Sequence, residues 1–358
     1  MHILHVVGAR PNFMKVAPVM AALSNHADVR QTLVHTGQHY DANMSDVFFR
    51  QLGLPAPDVN LGVGSGSHAA QTAQIMLRFD EVVQAQPPNL ALVYGDVNST
   101  VAAALVCAKR LIPVGHVEAG LRSGDRTMPE EINRLVTDRL SDLLFTPSAD
   151  GDDNLRREGI DPAHIHCVGN VMIDTLVRLL PQAEQIAPDN LPDRFALVTL
   201  HRPSNVDDPA MLPRLVAALQ QIAERLDVLF PIHPRTRRKL DEFGLEVPAA
   251  ARLRLMEPLG YLEFLALQRR AAVVITDSGG IQEETTFLGV PCLTLRANTE
   301  RPITLTLGTN TLVGQNPERL IAEVDRILGG QAKRGQIPPL WDGRAGERIA
   351  EVILRGRD

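Results

Sequence analysis

The sequence predicts an α/β protein made of two doubly wound domains, each a parallel sheet covered by helices on both faces. Three observations carry that expectation. Short β-branched runs alternate with longer segments of helical periodicity from one end of the chain to the other, the pattern of parallel strands joined by crossover helices. The 358 residues, at about 150 per domain, suit two domains rather than one. Hydrophobic residues at 44% and charged residues at 22% suit a packed chain and argue against disorder.

Taken in order, the first half offers strands at Ile3–Val7, Thr32–Thr36, Leu90–Tyr94, Val114–Val117 and Leu143–Thr146. Between them, Met14–Leu23, Ala69–Val83, Thr100–Arg110 and Glu130–Ser141 carry apolar residues at helical spacing. The second half repeats the rhythm, with strands at Ala196–Leu200, Val228–Ile232, Val273–Thr276 and Cys292–Leu295 and helices at Met211–Leu226, Leu262–Arg270 and Pro317–Leu328. Leu180–Arg194, with Pro181, Pro188 and Pro192 among polar residues, reads as the connecting stretch. The expected domains are residues 1–170 and 171–358, with a C-terminal helix free to pack back on the first. Ligands of this architecture bind where strands end at their carboxyl side, so a cleft between two such domains is the expected place for chemistry.

Composition narrows the partners. Thirty-six basic against 42 acidic residues leave a formal charge of −6, which disfavours whole-surface attraction to nucleic acid. Cys107, Cys167 and Cys292 are far apart among apolar neighbours, as buried thiols in a reducing compartment would be. No apolar stretch approaches the roughly 20 residues of a membrane span. The run Ile3–Val7 is too short for a signal-peptide core. A soluble, cytoplasmic protein is expected.

The strand ends are unusually polar. The first runs into Gly8-Ala9-Arg10-Pro11-Asn12, with Lys15 one turn later. A tight turn feeding a helix with two cations beside it can hold an anion. Leu90–Tyr94 runs into Gly95-Asp96, where Asn98 or Ser99 could cap the next helix but neither calls for Asp96. In Gly115-His116-Val117-Glu118, alternation puts His116 and Glu118 on one face. A buried His–Glu pair is the plain alternative to chemistry there. Pro129-Glu130-Glu131 opens a helix, where acids also suit the dipole.

In the second half, Asp277-Ser278-Gly279-Gly280 follows a strand and precedes a helix that begins near Ile281. Glycine lets the backbone approach a phosphate, and the amides of the helix start point at it. Glu284 is spaced to take a ribose hydroxyl, and Thr299-Glu300-Arg301-Pro302 follows the next strand. His201-Arg202 and His233-Pro234-Arg235 end two neighbouring strands, a pairing suited to a charged ligand better than to a metal. The chain has no G-x-x-x-x-G-K-[ST] and no G-x-G-x-x-G, so P-loop and nicotinamide roles lose support. His164-Ile165-His166-Cys167 is the one clustered string of metal-like residues, and no metal or other cofactor is expected.

These motifs, in this order, resemble the non-hydrolysing UDP-N-acetylglucosamine 2-epimerases. The resemblance rests on Gly8-Ala9-Arg10-Pro11, Thr36-Gly37-Gln38-His39, Gly95-Asp96, Gly115 to Arg122, Pro129-Glu130-Glu131, Thr276 to Gly280 and Thr299 to Pro302, and covers residues 1 to about 315. It implies a glycosyltransferase-B-like fold of two Rossmann-like domains facing across a cleft, a homodimer, and a UDP-sugar substrate. By position in the motifs it implies catalytic roles for Asp96, Glu118, Glu130 and His201. It places Arg10, Lys15 and His201 on the diphosphate, Ser278, Gly279, Gly280 and Glu284 on phosphate and ribose with Arg301 nearby, and Leu259 and Phe264 beside the uracil. Residues that form a second, activating UDP-sugar site in many bacterial members are replaced here by Tyr40-Asp41 and Ser65-Gly66. The stretch Val34–Ser45 also looks like relatives acting on UDP-2,3-diacetamido glucuronic acid.

Inverting C2 is hard because its proton has no neighbouring carbonyl. Expelling UDP from C1 while that proton leaves gives a glycal, to which UDP adds back with the proton returned on the other face. That route needs cations on the diphosphate and acid–base groups near C2.

Overall fold

The computed structural model describes residues 1–38, 49, 51–186, 188, 190–245, 247 and 252–355. Two compact units emerge: Met1–Thr175 together with Pro339–Asp358, and Leu176–Pro338.

The first unit holds a seven-stranded sheet. Its strands are β1 (His2–Val7), β2 (Arg30–His35), β3 (Val59–Asn60), β4 (Leu90–Tyr94), β5 (Val114–Val117), β6 (Leu143–Thr146) and β7 (Ile165–Cys167), in spatial order β3-β2-β1-β4-β5-β6-β7. All neighbours run parallel. β4 reads Leu-Ala-Leu-Val-Tyr and every residue is buried, as a strand covered on both faces must be. On one face, Leu4, Val6, Ala91 and Val93 pack with Ile75 and Phe79 of the helix His68–Ala85.

The second unit holds a six-stranded parallel sheet. Its strands are β8 (Phe195–Thr199), β9 (Asp227–Pro231), β10 (Leu253–Met256), β11 (Val273–Thr276), β12 (Cys292–Thr294) and β13 (Asn310–Leu312), ordered β10-β9-β8-β11-β12-β13. Alternation along β8 sends Ala196 and Val198 to one cluster and Phe195 and Leu197 to another, so helices cover both faces. Each unit is therefore doubly wound in the Rossmann manner. The strand order reverses between β1 and β4 in one sheet and between β8 and β11 in the other, and such switch points open crevices at the carboxyl ends.

Three expectations need correction. The strands β3, β7, β10 and β13 were not foreseen, and the sheet order puts all four at sheet edges. The stretch beginning at Leu180 is not all linker: Leu180–Gln185 completes the helix Val171–Gln185. Leu176, Leu179 and Ala183 are buried at helical spacing, while Pro181 sits on the exposed side, where a lost hydrogen bond is made good by water. Neither Asn98 nor Ser99 caps the helix Asn98–Lys109, whose N-cap is Val97.

The C-terminal helix Ala345–Arg355 belongs to the first unit and packs on the helix Arg10–Leu23. Trp341, 2% exposed, donates its indole N–H to the Pro147 carbonyl at 2.9 Å. Among the described residues no helix is long and apolar enough to cross a membrane.

Candidate active site

Two sets of polar residues gather at the two switch points. In the first unit the turn after β1 is tied down by Asn12. Its side-chain oxygen accepts the Gly8 and Ala9 amides, each at 3.0 Å, and its nitrogen donates to the Tyr94 carbonyl at 2.8 Å. The ends of β1 and β4 are thus locked together across the switch point. Gly8 has no room for more: a Cβ there would strike Ser99 and lie 2.7 Å from the Thr36 hydroxyl. Thr36 and Ser99 share a hydroxyl contact at 2.7 Å, and the Ser99 hydroxyl donates to Gln38 at 2.8 Å. The Thr36-Gly37-Gln38 motif therefore docks on the start of the helix Asn98–Lys109. His39, Tyr40 and Asp41, and the stretch to Ser45, lie outside the described residues.

This frame carries the three carboxylates singled out above. Glu118 follows β5 and is ion-paired with Lys15, both nearly buried. Its backbone is left-handed, with φ of 75°, a conformation that costs a non-glycine residue on the order of 1–3 kcal/mol and collects at functional sites. Asp96 follows β4, is 27% exposed, and is ion-paired with Arg134. Arg134, nearly buried, also binds Glu131 through Nε at 3.0 Å. Glu131 in turn accepts the Ser123 amide at 3.0 Å and the Gly124 amide at 2.9 Å. Burial presses the Glu131 carboxyl upward, but these amides and Arg134 outweigh it and hold it below the usual carboxylate range.

Glu130, first in the pair, is half-buried, and its side chain makes no hydrogen bond or ion pair among the described residues. The helix Pro129–Leu140 thus presents one carboxylate to the open and turns the other inward as a brace. The pairing of His116 with Glu118, the plain alternative for β5, gives way to His116 with Asp138 at 2.6 Å and Glu118 with Lys15. Arg10 is exposed at the first position of its helix. Lys15 faces a carboxylate.

In the second unit the pivot is Asp277, fully buried after β11. It accepts the Arg202 amide at 2.9 Å and the Asn205 side chain at 3.0 Å, and faces His201 Nδ1 at 3.0 Å. Burial alone would raise its carboxyl; these donors prevail and lower it. The imidazole of His201 is thereby fixed through Nδ1, and among the described residues Nε2 has no hydrogen-bond partner. His233 lies with its ring centroid 5.7 Å from that of His201 and accepts the Arg235 amide as an N-cap. Arg235 itself pairs with Asp207.

Ser278 is the N-cap of the helix Gly279–Leu288 and makes no side-chain cap bond. A Cβ at Gly279 would stand 2.8 Å from Glu300 Oε1 and against Arg301, so the helix start and the Thr299–Pro302 loop meet there. Arg301 is buried between Glu283, at 2.9 Å, and Glu300. Glu284 is nearly buried and accepts the Tyr261 hydroxyl at 3.0 Å. Burial pushes its carboxyl up to about 7. Leu259 and Phe264 pack with Met256 and Ile281 on one cluster. Gly280 is the second residue of the helix Gly279–Leu288.

Of the residues that hold these groups, Asn12 and Asp277 stand in the motifs quoted above without an assigned role, and sequence reasoning missed Arg134 and Asp138. A partial signal existed for Arg134, which lies three and four positions past Glu131 and Glu130 on one helix. The string Ile165–Cys167 proves to be the edge strand β7, with the His166 ring on Phe145.

The comparisons with known proteins point to one family over nearly the whole chain. The profile of the UDP-N-acetylglucosamine 2-epimerase family matches residues 21–354. The UDP-N-acetylglucosamine 2-epimerase of Methanocaldococcus jannaschii is 42% identical over 363 residues, 98% of each chain. The UDP-2,3-diacetamido-2,3-dideoxy-D-glucuronate 2-epimerase of Pseudomonas aeruginosa is 41% identical, over 99% of this chain and all of its own. A crystal structure of the Methanocaldococcus enzyme in complex with UDP-GlcNAc and UDP superposes with a TM-score of 0.91, covering 99% of this chain and 100% of that one. With a profile match over most of the chain, full-length sequence similarity and structural superposition in agreement, the chain belongs to the UDP-N-acetylglucosamine 2-epimerase family.

Proposed function

We propose that this protein interconverts UDP-N-acetylglucosamine and UDP-N-acetylmannosamine by eliminating UDP and adding it back through a 2-acetamidoglucal. The observation that carries the reading is the gathering of Asp96, Glu118 and Glu130 at the switch-point end of the first sheet. Two of them are fixed by buried cations and the third is unengaged among the described residues. A glycosyl transferase has little use for three such carboxylates. Loss of the C2 proton and its return need acid–base groups there, and departure of UDP needs positive charge at the diphosphate.

In this reading the second unit takes the nucleotide. The helix start at Ser278, Gly279 and Gly280 meets phosphate through its amides, Glu284 meets the ribose, and Leu259 and Phe264 border the uracil. Arg301 braces that loop through its two glutamates. His201, steadied by Asp277, and Arg10 meet the diphosphate. Lys15 shares its charge between Glu118 and the departing phosphate. The working form is a homodimer, acting without a metal or redox cofactor.

A second reading, 2-epimerisation of UDP-2,3-diacetamido glucuronic acid, is favoured by the near-equal identity to the Pseudomonas enzyme. Incubation with each UDP-sugar, followed by chromatography of the products, separates the two. A new UDP-N-acetylhexosamine from UDP-N-acetylglucosamine supports the first. Conversion of the diacetamido uronic acid alone transfers the assignment to the second, and free N-acetylmannosamine with UDP would mean a hydrolysing enzyme.

A further inference from the structure

Behind the carboxylates lies a buried charged cluster to which the reading above gives no part. We propose that His116 and Asp138 form a positioning pair that sets Asp96 and Glu118 relative to each other; this rests on the epimerase reading. His116 Nδ1 stands 2.6 Å from Asp138 Oδ1, with both side chains essentially inaccessible, and His116 Nε2 stands 2.8 Å from the Gly95 carbonyl oxygen. The ring thus bridges the Asp138 carboxylate and the Gly95 carbonyl, one through each nitrogen. The other oxygen of Asp138 accepts the Gly120 amide at 3.1 Å and lies 2.7 Å from Arg122 Nη1.

One pair therefore touches both catalytic loops. Gly95 immediately precedes Asp96 and has a φ of 65°. A Cβ at Gly95 would lie 2.6 Å from Lys15 Nζ and 3.2 Å from Glu118 Oε2, so a small movement there disturbs both carboxylates. On the other side, Glu118 is left-handed and its amide shares the Phe145 carbonyl with Ala119, each at 3.0 Å. Asp138 pins the next turn of that loop through Gly120. Burial pushes the Asp138 carboxyl up, while His116 and Arg122 more than reverse this, consistent with an ionised partner. An apolar pair would fill this space at less cost, because a buried ion pair seldom repays its desolvation. Its placement between two loops in left-handed conformations suits registry.

Two substitutions of one residue test this. The amide nitrogen of Asn reaches about where Nδ1 stands, so His116→Asn keeps a donor for Asp138 and loses the Gly95 carbonyl. Gln reaches about where Nε2 stands, so His116→Gln keeps the Gly95 contact. The expected result is a kcat about 100-fold lower for His116→Asn, with KM and UDP affinity within about threefold of wild type, and recovery to within about tenfold for His116→Gln. Wild-type kcat in His116→Asn overturns the proposal. So does equal loss in both variants together with lost UDP affinity, which a merely structural role would produce. If His116→Asn does not fold, Asp138→Asn takes its place: lowered kcat with unchanged KM supports the pair, and unchanged kcat refutes it. A wild-type protein inert toward both UDP-sugars would instead sink the reading on which the pair depends.

Discussion

At the scale of single residues, the chemistry is set by which partner each charge has. Asp96→Asn keeps the shape of a side chain already hydrogen-bonded to Arg134 while removing its ability to take a proton. Turnover is expected to vanish with UDP affinity nearly intact, and calorimetric titration with UDP beside a turnover assay checks it. Wild-type turnover would remove Asp96 from the mechanism. Arg134→Met leaves Glu131 buried without its cation, which should cost about 3 kcal/mol of stability, measured by denaturant unfolding. The sequence displayed Asp96, Glu118, Glu130 and Lys15 because each sits beside a strand end or helix start. It hid their partners, since Lys15 meets Glu118 across 103 positions and Arg134 meets Asp96 across 38. Contacts between elements have no local signature.

At the scale of elements, central strands were legible and edge strands were not. β4, β5, β6 and β11 stand where periodicity placed them, and β4, Leu-Ala-Leu-Val-Tyr, is a continuous apolar run because both its faces are covered. β7 reads Ile-His-Cys with all three residues half-buried, and β3 is two residues long. An edge strand partly facing water carries no such run, and only pairing with its neighbour defines it. The same logic explains the turn after β1, where Gly8 lies against Ser99 and Thr36. Gly8→Ala must push the helix Asn98–Lys109 away from β1, at about 1–3 kcal/mol. A lowered thermal midpoint with reduced kcat is the expected outcome; an unchanged midpoint would show that the turn has slack.

At the scale of the whole molecule, two buried carboxyls and the buried His5 pull stability in opposite directions in mildly acidic solution. Burial raises Glu284 from 4.5 to about 7 and Asp174 from 3.8 to about 6. Because the folded protein holds these protons more tightly than the unfolded chain, their stabilising contribution is complete below about pH 4 and is lost as pH rises toward 7. Asp138 and Asp277 are shifted downward, and their contribution is lost only as pH falls below the ordinary carboxylate range. Burial lowers His5 from 6.5 to about 4, so its contribution grows as pH rises through the same window and opposes the two carboxyls. Glu284→Gln removes only the Glu284 part and should raise stability at pH 7 relative to pH 4.5 by about 3 kcal/mol compared with wild type. Unfolding free energies across this window measure it, and an equal slope in the variant would contradict it.

Asp174 has a second part in the first unit. It accepts the Ala345 and Gly346 amides at 3.1 and 2.7 Å, fastening the start of the C-terminal helix. Asp174→Ala strands those amides and should lower stability by about 2 kcal/mol.

Epimerisation by elimination and re-addition requires the C2 proton to leave the sugar and a proton to return from solvent. Proton NMR of the protein with UDP-N-acetylglucosamine in deuterated water reads that event directly. Growth of UDP-N-acetylmannosamine with deuterium at C2 of both epimers is the predicted result. Epimerisation with the C2 proton fully retained, or a spectrum that never changes, would contradict it.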